Sequence, residues 1–204
     1  MLSKRLSGAA VVIGVGLSVL PAHAQYVVTL KQEGGDVVAA GSGSIDLAGL
    51  CCKSSGGGIA AIVPMAGLIE TGPPSVEPVD FYETPNPEIL TFGSGAPLTY
   101  ASSGSGATVG TDGGGNFEVP EGYISGSALS DTSTYDGASF ARLGLTPGVY
   151  KATWGSSGSF TIIVASPEPS TWILMLAGFA GLGFAAWRAR DMSRALRPRH
   201  LASQ

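Results

Sequence analysis

The residues able to do chemistry are few, and their types exclude most mechanisms. The only histidines are His23 and His200, near the two ends. The segment between lacks the imidazole needed for a Ser–His–Asp arrangement, a histidine general base or a histidine-ligated zinc site. Cys51 and Cys52 are adjacent and are the only cysteines. A cysteine nucleophile here would lack its usual histidine partner, and two thiols alone do not complete a structural zinc site. The pair reads in three ways: two small residues on opposite faces of a strand, a vicinal disulfide, or a point of lipidation or intermolecular pairing. No metal site is expected.

Carboxylates are the remaining catalytic candidates. Glu118 and Glu121 flank Val119-Pro120, and Asp131 and Asp136 sit in a Ser/Thr/Gly-rich stretch. A glycosidase places two carboxyl groups about 5–9 Å apart across a cleft; solvated loop acids are the plainer reading. Asp112-Gly-Gly-Gly-Asn116 offers oxygens to calcium but lacks the spaced acids of an EF-hand or a Gly-rich nonapeptide repeat. Tyr123, Tyr135, Tyr150 and Trp154 could line a sugar-binding face, or serve as core and corner residues. No Walker-type or dinucleotide glycine pattern occurs, and no cofactor is expected.

The elements that would position these groups are short strands. Tyr26-Val-Val-Thr-Leu30 is aromatic and β-branched, Gly34-Gly35-Asp36 turns it, and Val37–Ala40 returns. Gly43–Leu47, Ile59–Val63 with Gly67–Ile69, Asn116–Pro120 and Ser139–Leu143 are further strand candidates. Gly56-Gly57-Gly58 reads as a break. Residues 72–88, with five prolines and four acids, read as a loop or extended crossing, and Ser102–Gly115 as a long turn or mobile loop. The firmest local signal is a hairpin: Leu145-Thr-Pro-Gly-Val-Tyr150-Lys-Ala-Thr-Trp154, a Gly/Ser turn, then Ser159–Val164. Leu-x-Pro-Gly-x-Tyr resembles the corner of many β-sandwiches, where the tyrosine hydroxyl caps backbone groups. With no sustained 3.6-residue apolar period in 25–165, the expected fold is an all-β, β-sandwich-like exported domain.

Both ends read as targeting segments. Lys4 and Arg5 precede uncharged Leu6–Leu20, and Ala22 and Ala24 occupy the −3 and −1 positions of a cut after Ala24. Residues 1–24 therefore read as a secretory signal peptide, helical in its apolar part, and 25–165 as the Gly/Ser-rich domain. Residues 166–204 place Pro167-Glu168-Pro169 before an uncharged run from Trp172 to Trp187, then Arg188, Arg190, Arg194, Arg197 and Arg199. A helix over 172–187 is about 24 Å long, short against a hydrocarbon core of about 30 Å. The tryptophans suit the interface, and the basic tail at 188–199 stays cytoplasmic. Ala177, Gly181 and Ala185 form a small-residue stripe along it. The whole chain carries a net charge of −4. Without its ends it retains four basic and thirteen acidic residues, a net charge of about −9, which argues against nucleic-acid binding.

Pro167-Glu168-Pro169, the apolar segment with Ala177-Gly-Phe-Ala-Gly-Leu-Gly183 at its centre and the arginine cluster resemble the PEP-CTERM sorting signal of Gram-negative bacteria. The resemblance implies recognition and cleavage by an exosortase, a membrane cysteine transpeptidase. The precursor would be held transiently in the inner membrane, then delivered to the cell surface or extracellular matrix in a setting of exopolysaccharide or biofilm production. Val119–Ser127 and Leu143–Trp154 are also similar to a stretch found in many such substrates, which implies a shared sandwich domain and no activity. The expected function is a non-enzymatic structural or surface role; the alternatives are a carbohydrate-binding module and a secreted carboxylate-based hydrolase.

Overall fold

The computed structural model describes residues 25–85, 89–166, 175–184 and 188. Among these described residues thirteen strands form two sheets. The first contains β1 (Gln25–Glu33), β2 (Asp36–Gly43), β8 (Ser103–Gly106), β11 (Leu129–Tyr135), β12 (Gly148–Trp154) and β13 (Gly158–Val164), in spatial order β12-β13-β1-β2-β11-β8. The second contains β3 (Cys51–Gly58), β4 (Ala61–Val63), β5 (Leu68–Thr71), β6 (Glu77–Glu83), β7 (Thr99–Tyr100), β9 (Val109–Asp112) and β10 (Asn116–Pro120), in order β3-β6-β10-β9-β5-β4-β7. All pairings are antiparallel except β1 with β13. One helical turn, α1 (Phe140–Leu143), interrupts the strands, and its Ser139 N-cap accepts the Arg142 N–H. A single turn of 3-10 helix spans Pro64–Ala66.

The expected all-β class is present, as are β1, β2, β10 and the β12–β13 hairpin. Period-2 alternation explains why these strands form. Tyr26, Val28 and Leu30 are fully buried, and Val37 and Ala39 lie beside them on β2. The two sheets share one core. Phe117 of the second sheet meets Trp154 and Phe160 of the first, with ring centroids 4.4 and 5.4 Å apart, and Phe160 stacks on Tyr26 at 5.6 Å. Tyr150 forms the expected corner, its hydroxyl donating to the Thr146 carbonyl at 2.9 Å. Tyr123 makes the same contact with Ser127 at 2.6 Å and accepts the Ile45 N–H.

Several expectations are corrected. Gly56-Gly57-Gly58 is not a break but the end of β3, paired with Val79, Pro78 and Glu77. A Cβ at Gly56 would stand 2.9 Å from Phe81, and one at Gly57 2.6 Å from Val76. Within 72–88, Glu77–Glu83 is an internal strand, with Pro78 near its start where a missing N–H disturbs the ladder least. Ser102–Gly115 supplies β8 and β9, where Gly104 and Gly110 let backbones approach: a Cβ there would stand 2.0 Å from the Gly72 carbonyl oxygen and 2.1 Å from that of Ile69. Asp131 lies in β11 and not in a loop, and Ser139–Leu143 forms the cap and turn of α1 instead of a strand. Residues 44–47 leave the ladder because the Asp46 carboxylate turns back to accept the Ala48 N–H at 2.9 Å.

Tyr150→Phe removes one hydrogen bond and leaves the ring in place. It should lower stability by about 1 kcal/mol, read as a lower urea midpoint with an unchanged slope.

Candidate functional site

The four carboxylates singled out in the sequence occupy dissimilar places. Glu121 and Asp136 are exposed; Glu118 and Asp131 are buried in different sheets. Asp136 lines a surface pocket of about 260 Å³ with Tyr100 and Arg142, and none of the other three lines it. Asp131 accepts a hydrogen bond from the buried Tyr26 hydroxyl, across Gly41. Burial pushes the Asp131 carboxyl above its usual range, and burial and the neighbouring Asp131 charge raise the Tyr26 hydroxyl. The arrangement links β1 to β11 across β2, and one Asp131 oxygen is buried without a hydrogen-bond partner.

Glu118 has a different neighbour, one that sequence reasoning missed. In the second sheet Gly110 pairs with Glu118 of β10 on one side and with Glu70 of β5 on the other. With no side chain between them, the two glutamates face one another across the middle strand. Burial pushes the Glu70 carboxyl above its usual range, while the Ile59 N–H, donated to it at 2.7 Å, pulls the other way. One Glu118 oxygen is buried without a hydrogen-bond partner. Burial first, then the charges of Glu70 and Asp112, push the Glu118 carboxyl up to about 9. Near neutral pH Glu118 is thus held as the carboxylic acid. The available signal was Glu70 itself, one charge in the apolar run Gly67–Ile69 continued through Thr71.

The aromatic candidates are engaged internally. Tyr135 and Trp154 are buried, and the Trp154 indole N–H donates to the Asp46 carbonyl at 2.7 Å. Tyr123 and Tyr150 spend their hydroxyls on the two corners. Trp154 also lines surface pockets of about 510 and 280 Å³, and the Tyr135 hydroxyl is buried without a hydrogen-bond partner. Asp112 is likewise internally satisfied: it accepts from the backbone N–H groups of Gly114 and Asn116 and from the Asn116 side-chain amide at 2.6 Å.

The thiols do not lie on opposite faces of a strand. Both are exposed, with sulfurs 2.8 Å apart. Cys52 has φ +55°, and the β3–β6 register shifts between Cys51 and Ser54. This bulge turns consecutive side chains to one side. Glu83, paired with Cys51, joins them: ligand atoms of all three lie within 4.8 Å of one another. The Cys52 thiol is raised to about 11, chiefly by its contact with Cys51. Lys53, next in the chain, is held by Asp80 at 2.8 Å, and this contact keeps the Asp80 carboxyl below its usual range.

The Glu118 shift has a fixed sign. The folded chain keeps this proton up to about pH 9, whereas the unfolded chain releases it near the ordinary value of 4.5. Between those values the folded state binds one more proton, so this group's contribution to stability falls as pH rises, and flattens above about 9. Glu118→Gln should have a shallower decline in Tm than wild type between pH 6 and 9. Equal slopes would show that Glu118 does not hold the proton.

The remaining candidates lie toward the ends. Ala22, Ala24, Pro167, Glu168, Pro169, Trp172, Trp187 and Arg190 fall outside the described residues. Residues 175–184 are helical and exposed, as is Arg188. Among the described residues no helix is long and apolar enough to cross a membrane. No curated protein and no solved structure matches the chain. Residues 167–190 match the family model of the PEP-CTERM protein-sorting motif, which marks an exosortase-sorted surface protein exported through a membrane-anchored precursor. The chain is therefore a protein bearing a PEP-CTERM sorting motif, placed shortly after the last of its described strands.

Proposed function

We propose that residues 25–165 form an exported β-sandwich with a structural, non-catalytic role at the cell envelope or in the extracellular matrix, in association with exopolysaccharide. The observation that carries this reading is the sorting motif at 167–190, which begins three residues after β13 ends at Val164. Residues 1–24 act as the signal peptide. The segment around 172–187 holds the precursor in the inner membrane with its arginines on the cytoplasmic side. The exosortase then cuts near Pro167-Glu168-Pro169 and releases the domain.

The chemistry of the domain supports a structural role. The carboxylates that could have acted as a catalytic pair are separated, with one buried in each sheet. The aromatics that could have formed a sugar platform are spent on the core and on two corners. The turns and edges are rich in Ser, Thr and Gly. A net charge of about −9 keeps such a domain soluble and away from nucleic acid.

Mass spectrometry of the mature protein from a producer with an active exosortase tests the processing. The expected species starts at Gln25 and ends close to Pro167–Pro169. A C-terminus at Gln204 in that strain would overturn the reading.

A further inference from the structure

We propose that Cys51, Cys52 and Glu83 form a surface site for a single thiophilic d10 cation of the Zn(II) class. Three observations carry it. In a regular strand Cys51 and Cys52 would point to opposite faces, but the bulge at the left-handed Cys52 puts both sulfurs on one side. The β3–β6 register then sets Glu83 opposite Cys51, so two sulfurs and a carboxylate oxygen converge within 4.8 Å. Finally, the adjacent cation is diverted: Lys53 is paired with Asp80, and among the described residues no basic group is paired with Glu83.

Two thiolates and one carboxylate are a donor set that zinc accepts, with a fourth position left for water. Thiolates at about 2.3 Å from a tetrahedral ion stand roughly 3.8 Å apart. The sulfurs, now 2.8 Å apart, must separate by about 1 Å, and both side chains are exposed and free to rotate. Binding forms two metal–sulfur bonds and one metal–oxygen bond to Glu83, displaces waters from the hydrated ion and releases the two thiol protons to solvent, so affinity rises with pH and no oxidant is consumed. Closing a disulfide would remove both ligands, so the occupied and oxidised states exclude one another.

The test is a Co(II) titration of the full-length chain, kept reduced with a phosphine and followed by absorbance, with Zn(II) as competitor. The proposal expects a thiolate-to-cobalt charge-transfer band that saturates at one ion per chain and is displaced by Zn(II). Cys51→Ser and Cys52→Ser should each abolish the saturable band. Glu83→Gln should weaken binding about tenfold or more with an unchanged Tm. Absence of the band, saturation at half an ion per chain (two copies sharing one ion), or unchanged affinity in Glu83→Gln would each overturn it.

Discussion

The two sheets are locked at one corner by Trp154, and much of the structure follows from that lock. The indole ends β12, packs on Phe117 of the opposite sheet and donates its N–H to the Asp46 carbonyl. Asp46 in turn gathers three segments. Its carboxylate accepts from the Ala48 N–H and from the hydroxyls of Ser125 and Ser157. These contacts, the Ala48 bond foremost, hold the Asp46 carboxyl below its usual range. The hairpin turn, the β2–β3 loop and the Tyr123 corner therefore meet at one residue. Gly158 belongs to the same arrangement, because a Cβ there would stand 2.2 Å from the indole nitrogen.

Legibility in the sequence followed from the kind of physics involved. Strands with period-2 alternation or a strong turn were readable: Tyr26–Leu30, Asn116–Pro120 and the hairpin around Gly155-Ser-Ser-Gly158. Segments whose strands consist of small residues were not. The composition of Gly56–Gly58 and Ser103–Gly106 reads as break or loop, yet Gly56 lies against the Phe81 ring and Gly104 is needed because the Gly72 and Thr132 carbonyls occupy the space a Cβ would fill. Close approach across a sheet is a tertiary property and leaves no periodic trace. Glu77–Glu83 was obscured in the same way: its prolines and acids signal a crossing, while its place between β3 and β10 makes it an internal strand.

The sites divide along the same line. The sorting signal is one-dimensional, an order of motif, apolar run and basic tail, and so was readable directly. The Glu70–Glu118 pair depends on Gly110 lying between two strands, and the thiol–carboxylate cluster on the pairing of Cys51 with Glu83. Both join residues that the chain keeps far apart. The glycine-spaced pairs share one design: Tyr26 and Asp131 meet across Gly41 as the two glutamates do across Gly110. In each case a missing side chain admits a polar contact into the interior, where burial makes its protonation state part of the fold's stability.

Delivery and folding are physically separable in this chain. Val164 ends β13 between β12 and β1, with its backbone paired on both sides, and the sorting motif starts just beyond. Loss of everything after Ser166 removes none of the described strands. The described strands are complete at Val164, ahead of the segment that carries the sorting motif. Fractionation of cells producing either the full chain or a chain ending at Ser166 tests this most directly. The account predicts that both yield the same protease-resistant domain, surface-associated or shed from the full chain but retained in the periplasm from the shortened one. Surface delivery of the shortened chain, or its degradation as an unfolded protein, would contradict it.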